Sequence, residues 1–216
     1  MLESLLPNKV ATASVRDDDP FAYLYPDEAA LLGRAVESRV REFSTGRACA
    51  RRALRKLGVP ATSILSGPNR EPLWPPGVIG SITHCHGYHA ATVAWQVDFQ
   101  TVGIDAEIHE PLPSGVLSHV AVAEEQAWLL EAHGGLHWDR LLFSAKESVY
   151  KAWFQITGRW LDFKDAVLTF DPIQQTFYAK ITLSPLIGES AFLTDFSGRY
   201  LTYDDLVLTA ITVPQR

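Results

Sequence analysis

Apolar positions along this chain recur with two periods, one of about 3.6 residues and one of two, and each change of period marks a predicted element. The residues before Pro26 carry turn signals at Pro7 and at Asp17-Asp18-Asp19-Pro20, and read as extended entry structure. Helical periodicity starts at Pro26, runs through Asp27 to Leu32, and returns from Ser38 to Leu57. Val40, Phe43, Ala50, Leu54 and Leu57 form its apolar face, and Gly58 and Pro60 end it. After turn-rich loops at Ser66–Pro72 and Trp74–Gly77, alternation takes over. Val78–His84 and His89–Trp95 pair about Gly87, and Thr101–Glu107 follows as the next strand. Pro111–Gly115 breaks the chain, Ala121–His133 is a helix stopped by Gly134-Gly135, and a long helix runs from Trp138 to about Ile156. Strands are expected at Ala166–Phe170, Gln175–Leu183, Ala191–Phe196 and Leu206–Val213. Helix followed by strands occurs twice without a residue-level repeat. The expectation is an α+β fold of two similar, pseudo-twofold lobes, residues 1–103 and 104–216, each a helix on a small, mainly antiparallel sheet.

Two stretches carry the candidate chemistry. In Val102-Gly103-Ile104-Asp105-Ala106-Glu107 the period of two puts Val102, Ile104 and Ala106 on one face and the carboxylates of Asp105 and Glu107 on the other. In Ser144 to Trp153 the helical period buries Leu142, Ala145, Val149 and Ala152 and sets Ser144, Glu147 and Lys151 on another face. If that helix packs beside that strand, three carboxylates and a lysine meet. Such a group repels itself unless it takes a proton or a cation, and an all-oxygen set suits Mg²⁺, which keeps waters and bridges to phosphates. Taken singly, each pair has a plainer explanation: acids on an exposed strand, or a helix surface pair contributing about 0.3 to 0.5 kcal/mol.

Composition and charge narrow the picture. The 216 residues are 47% hydrophobic and 20% charged, as in a soluble globular protein, and the net charge of -6 argues against general nucleic-acid binding. Met1 to Val15 lacks the charged and apolar blocks of a signal peptide, and no apolar run reaches membrane-span length, so a cytoplasmic location is expected. Cys49 and Cys85 are expected as reduced thiols. Arg47, Arg51 and Arg55 repeat every four residues after Arg39 and Arg41; they suit either a solvated basic face or a guanidinium clamp for an anionic ligand. His84-Cys85-His86 with His89 lacks a second ligand pair at zinc spacing and is set aside as a metal site. Trp128, Trp138, Trp153 and Trp160 are expected in the core or between lobes.

Read together, Val102–Glu107 and Phe143-Ser144-Ala145-Lys146-Glu147-Ser148-Val149-Tyr150-Lys151-Ala152 resemble the paired signature of 4'-phosphopantetheinyl transferases, V-G-I-D-x-E and then W/F-S/T-x-K-E-S/A-x-x-K-A. Gly80–His84 resembles the family's upstream S-x-S/T-H element. Phe43–Arg47 with Ala50-Arg51 is similar to its F-x-x-G-R-x-x-A-R helix, and Thr157–Phe163 to the segment that follows. The matches run in order from residue 39 to 163 and are nearest the enterobactin-type and mycobacterial-type members of the Sfp-like group, which act as single chains of two lobes. That resemblance implies transfer of the phosphopantetheine arm of coenzyme A to a serine of an acyl or peptidyl carrier protein, with release of adenosine 3',5'-bisphosphate by a monomer. By the same resemblance, Asp105, Glu107 and Glu147 hold Mg²⁺, Glu147 activates the serine, and Lys151 serves the leaving phosphate, assisted by Lys146. Arg39, Arg47 and His84 contact coenzyme A phosphates, with Ser81 and Thr83 helping, so the first lobe binds coenzyme A and the second carries the catalytic residues. Ser66 stands where the family often has a lysine near the adenine. Carriers of this kind are acidic, so docking is expected to rely on a local patch, with Leu112–Val122 the candidate edge. The rival readings are a non-catalytic coenzyme A or nucleotide-binding protein and a coenzyme A pyrophosphate hydrolase.

Overall fold

The computed structural model describes residues 1–132, 134–183 and 194–215, which form two antiparallel sheets, each with one long helix. The first sheet has the order β1-β3-β2 and is built from β1 (Ala11–Arg16), β2 (Val78–Cys85) and β3 (Tyr88–Trp95). β2 and β3 pair from Val78↔Trp95 to Cys85↔Tyr88 about Gly87, as expected. β1 lies in the entry segment, whose local pattern identified no element; it is a strand because β3 supplies a partner along its whole length, from Ala11↔Val93 to Arg16↔Tyr88. After a short helix α1 (Pro26–Ala30), α2 (Glu37–Lys56) covers this sheet. Cys49, Ala50, Ala53 and Leu54 pack against Ala13, Val78, Ala91 and Val93.

The second sheet has the order β4-β8-β7-β6-β5, from β4 (Phe99–Ile108), β5 (Ala166–Asp171), β6 (Thr176–Ile181), β7 (Asp195–Tyr203) and β8 (Leu206–Pro214). Between β4 and β5 come α3 (Leu117–Val120), α4 (Ala123–Glu131) and α5 (Trp138–Thr157). Leu142, Ala145, Val149 and Ala152 of α5 are buried against Leu168, Phe177, Phe196, Val207 and Ile211. The chain therefore has the expected α+β character with antiparallel sheets. Of the strand expected at Ala191–Phe196, residues 191–193 lie outside the described residues; β7 runs later, pairing Gly198 with Ile211. His133, the expected end of the preceding helix, also lies outside them. Trp153 is buried as expected, whereas Trp160 is 72% exposed and leans on Tyr150, ring centres 5.0 Å apart. Among the described residues, no helix is long and apolar enough to cross a membrane.

β4 joins the two halves. It pairs with β8 from Thr101↔Val213 to Ile108↔Leu206, so the boundary expected between residues 103 and 104 falls inside a continuous strand. Its other edge is sealed by side chains rather than a ladder. Ser81 Oγ accepts from Ile104 N–H at 3.2 Å and Thr83 Oγ1 from Ala106 N–H at 3.1 Å. Gln155 Nε2 and Lys151 Nζ donate to the carbonyls of Val102 and Ile104 at 2.6 and 3.1 Å. An edge so occupied cannot recruit another strand. Close approach of α5 requires Gly103, because a Cβ there would lie 2.2 Å from the Ser148 carbonyl oxygen.

Each long helix is also fastened by a buried ion pair. Glu28 accepts from Arg51 at 2.9 Å and from the backbone N–H groups of Tyr25 and Ile64 at 2.9 and 2.8 Å. Glu125 accepts from Lys146 at 2.7 Å and from the N–H groups of Val122 and Leu168 at 2.9 and 2.8 Å. A buried ion pair is tolerable only when its remaining oxygens and protons are satisfied in this way.

Candidate active site at the β4–α5 seam

α5 lies along the face of β4 that carries the acids. Arg140, Glu147 and Lys151 recur on one side of the helix, seven and then four residues apart, close to whole turns of 3.6. Lys151 Nζ donates to Asp105 Oδ1 at 2.7 Å, and Thr83 Oγ1 donates to the same oxygen at 3.0 Å. The second oxygen, Asp105 Oδ2, is buried without a hydrogen-bond partner among the described residues. Glu107 Oε2 accepts from Arg140 Nη1 at 2.8 Å. Burial, and then the neighbouring Asp105, push the Glu107 carboxyl up to about 7 against the pull of Arg140 and Lys151. Glu147 is likewise raised, chiefly by burial and further by Asp105, with Lys151 opposing. Asp105 thus acts on an acid of its own strand and on one of the helix.

A cleft of about 510 Å³ opens between α2 and the end of β2, lined by Arg39, Glu42, Arg47, Ser66, Arg70 and His84. Arg47 is pinned: its Nε donates to the Ile64 carbonyl at 2.7 Å, its Nη2 to Ser66 Oγ at 3.0 Å, and its guanidinium carbon sits 4.1 Å from the Phe43 ring centre. Burial lowers its proton affinity to about 10, which leaves it charged at neutral pH. Arg39 Nη1 lies 3.5 Å from His84 Nε2. Burial makes the His84 imidazole less basic than usual, and His89, Arg39 and Lys151 add to this against Glu42. A fixed guanidinium, a second one and an imidazole thus share one cleft, and groups of this kind pair well with phosphate oxygens.

Comparison with known proteins agrees with both halves of this arrangement. A model of the 4'-phosphopantetheinyl transferase N-terminal domain matches residues 27–94, and a model of the 4'-phosphopantetheinyl transferase superfamily matches residues 101–209. The chain belongs to the 4'-phosphopantetheinyl transferase superfamily. It is 46% identical to 4'-phosphopantetheinyl transferase Svp of Streptomyces mobaraensis over 99% of this chain and 89% of that protein. It is 43% identical to 4'-phosphopantetheinyl transferase PptT of Mycobacterium tuberculosis, over 99% of this chain and 98% of that one. With 4'-phosphopantetheinyl transferase Npt of Nocardia iowensis the identity is 42%, over 98% and 99%.

Within this transferase, the residues singled out from sequence divide into three groups. Asp105, Glu107, Glu147 and Lys151 share the seam, and Arg39, Arg47 and His84 share the basic cleft. The others are engaged elsewhere. Ser81 and Thr83 turn their hydroxyls to β4, and Thr83 also donates to Asp105. Lys146 lies apart from both groups. It is buried, with Nζ bonded to Glu125 and to the carbonyls of Val120, Phe163 and Ala166 at 2.7 to 3.0 Å. One residue is about 100° of helix, so Lys146 points away from the side of α5 that carries Glu147 and Lys151. Arg51 is likewise withdrawn into its pair with Glu28. Two features escaped the sequence reading. Arg140 is one, although its spacing of seven from Glu147 already places it on the same face. The other is a slot of about 190 Å³ beside Glu147, walled by Tyr150, Trp160, Leu161 and Phe163.

Mg²⁺ fits the chemistry of the seam. Among the described residues, no three His, Cys, Asp or Glu side chains stand close enough to hold a metal ion between them. Mg²⁺ needs only one or two carboxylates when phosphates and waters complete its shell, and the partnerless buried oxygen of Asp105 is such a donor.

Proposed function

We propose that this chain transfers the 4'-phosphopantetheine arm of coenzyme A to a serine hydroxyl of an acyl or peptidyl carrier protein. The observation that carries this reading is the 2.7 Å contact between Lys151 and Asp105, which joins the acidic strand to the Lys-Glu helix next to a cleft of arginines. Arg39, Arg47 and His84 bind the phosphates of the adenosine end, and the Tyr150–Trp160 slot shelters the apolar part of the arm. The serine oxygen attacks the β-phosphorus, the pyrophosphate P–O bond breaks, and adenosine 3',5'-bisphosphate departs. Glu147 takes the serine proton, directly or through water; its raised proton affinity makes it a stronger base than an exposed carboxylate. Lys151 already has two acceptors, Ile104 O and Asp105, and offers its remaining N–H to the leaving phosphate. Asp105, Glu107 and Glu147 are the residues that would hold Mg²⁺, which when bound supplies charge neutralisation to the pyrophosphate.

The further assignments are a two-lobed monomer divided at residues 103 and 104, a cytoplasmic location, and carrier docking along Leu112–Val122. This segment follows β4 out of the seam and exposes Pro113, Ser114, Gly115, Ser118 and His119. Incubation with coenzyme A, Mg²⁺ and a panel of apo carriers should raise a carrier's mass by one phosphopantetheine. No gain on any carrier would defeat the proposal. Free phosphopantetheine produced without a carrier would favour a hydrolase instead.

A further inference from the structure

The acids of the seam lie beside one another, yet each strand acid is held by a different cation of α5. Arg140 and Lys151 are separated by eleven residues, about 16 Å of helix at 1.5 Å per residue, and stand on either side of Glu147. Lys151 holds Asp105 by Oδ1, and Arg140 holds Glu107 by Oε2. Arg140 is itself fixed: its Nε donates to the Glu110 carbonyl and its Nη2 to the Pro111 carbonyl, both at 3.0 Å. Its neighbour Asp139 accepts from Leu112 N–H at 2.8 Å, and His109 Nε2 accepts from His137 N–H at 3.0 Å. The first turn of α5 is thereby tied to residues 109–112, and Arg140 cannot easily swing away from Glu107. A guanidinium remains charged at every working pH, so it competes with any divalent cation for the same carboxylate.

We infer that Arg140 is a positioning residue that withholds Glu107 from the metal until coenzyme A is bound, leaving Asp105 and Glu147 as the acids that meet a divalent ion in the free enzyme. This rests on the phosphopantetheinyl transferase reading, and it explains why no three of the described acids enclose a metal position although Asp105 acts on both Glu107 and Glu147. An arginine that served only to shape the segment would have the opposite signature, because its loss would loosen the seam and weaken metal binding. Removing a competing charge strengthens metal binding instead.

The test is Mn²⁺ binding to the full chain without coenzyme A, followed by the loss of the free-ion electron paramagnetic resonance signal. Arg140→Gln, which keeps hydrogen-bonding capacity and drops the charge, should bind Mn²⁺ about tenfold more tightly, whereas Arg140→Lys should stay within about twofold of the parent. Glu107→Gln should cost less than about twofold, and Asp105→Asn at least tenfold. Affinity in Arg140→Gln that is equal to or weaker than the parent's overturns the inference and leaves the transferase reading intact. Should Arg140→Gln fail to fold, a tenfold loss in Glu107→Gln overturns it equally. Absence of saturable Mn²⁺ binding by the parent, with or without coenzyme A, overturns both the inference and the proposed metal centre.

Discussion

The two halves of the molecule solve the same packing problem with one device and then put it to different uses. In the first, the buried carboxylate of Glu28 joins the N–H of Tyr25 at the start of its own helix, a cation from the long helix and the N–H of Ile64 beyond that helix. In the second, Glu125 does the same with Val122, Lys146 and Leu168. The cation differs with its surroundings. Arg51 Nη1 donates to both oxygens of Glu28, with its guanidinium carbon 4.7 and 5.2 Å from the ring centres of Tyr23 and Tyr25, while the ammonium of Lys146 gathers three carbonyls besides its acid. With the helices anchored, the free faces diverge. α2 presents arginines to a cleft, and α5 presents Glu147 and Lys151 to a strand of acids. The Arg51–Glu28 and Lys146–Glu125 pairs therefore belong to the scaffold, while Arg47, one turn from Arg51, and Glu147, next to Lys146, face the cleft and the seam.

Breaking the device tests that equivalence most severely. Glu28→Gln and Glu125→Gln should each cost about 3 to 5 kcal/mol in urea unfolding, because each strands a buried cation. A loss below about 1 kcal/mol at either position would end the parallel. The division of labour comes next. Glu147→Gln should lower turnover about a thousandfold with coenzyme A affinity held within a few-fold, whereas Arg39→Ala should weaken coenzyme A binding about tenfold with turnover at saturation little changed. Calorimetric titration of coenzyme A alongside carrier mass assays would separate the two. The smallest effect is in pH. The Glu107 carboxyl is raised to about 7 from its ordinary 4.5, so the folded chain binds this proton more tightly than the unfolded one. Its stabilising contribution is complete below pH 4.5 and is lost as pH rises through 7. Metal-free protein should accordingly lose about 1 to 2 kcal/mol between pH 5 and 8 from this group, and Glu107→Gln should remove that part of the slope.

Much of this was legible along the chain. Alternation put Asp105 and Glu107 on one face, helical spacing put Glu147 and Lys151 on another, and both periods persist in the folded strand and helix. The β2–β3 hairpin and both long helices were readable for the same reason, since their signals lie within a few residues. Signals that depend on a distant partner were not readable. β1 is a strand only because β3 lies beside it, and β7 follows the register of β8 rather than the expected Ala191–Phe196. Periodicity could assign Lys146 to a different face from Lys151, but it could not say that a carboxylate of α4 and the carbonyls of Val120, Phe163 and Ala166 were waiting there.

By itself, the sequence determined which residues share a face, because the backbone periods of 2 and 3.6 depend only on local geometry. The tertiary structure alone decided which faces meet, because that depends on burial and hydrogen-bond satisfaction between segments far apart in the chain. Gly103 lets α5 touch β4, the hydroxyls of Ser81 and Thr83 close the strand's open edge, and Arg140 takes hold of Glu107. Those contacts turn two separate charge patterns into one site.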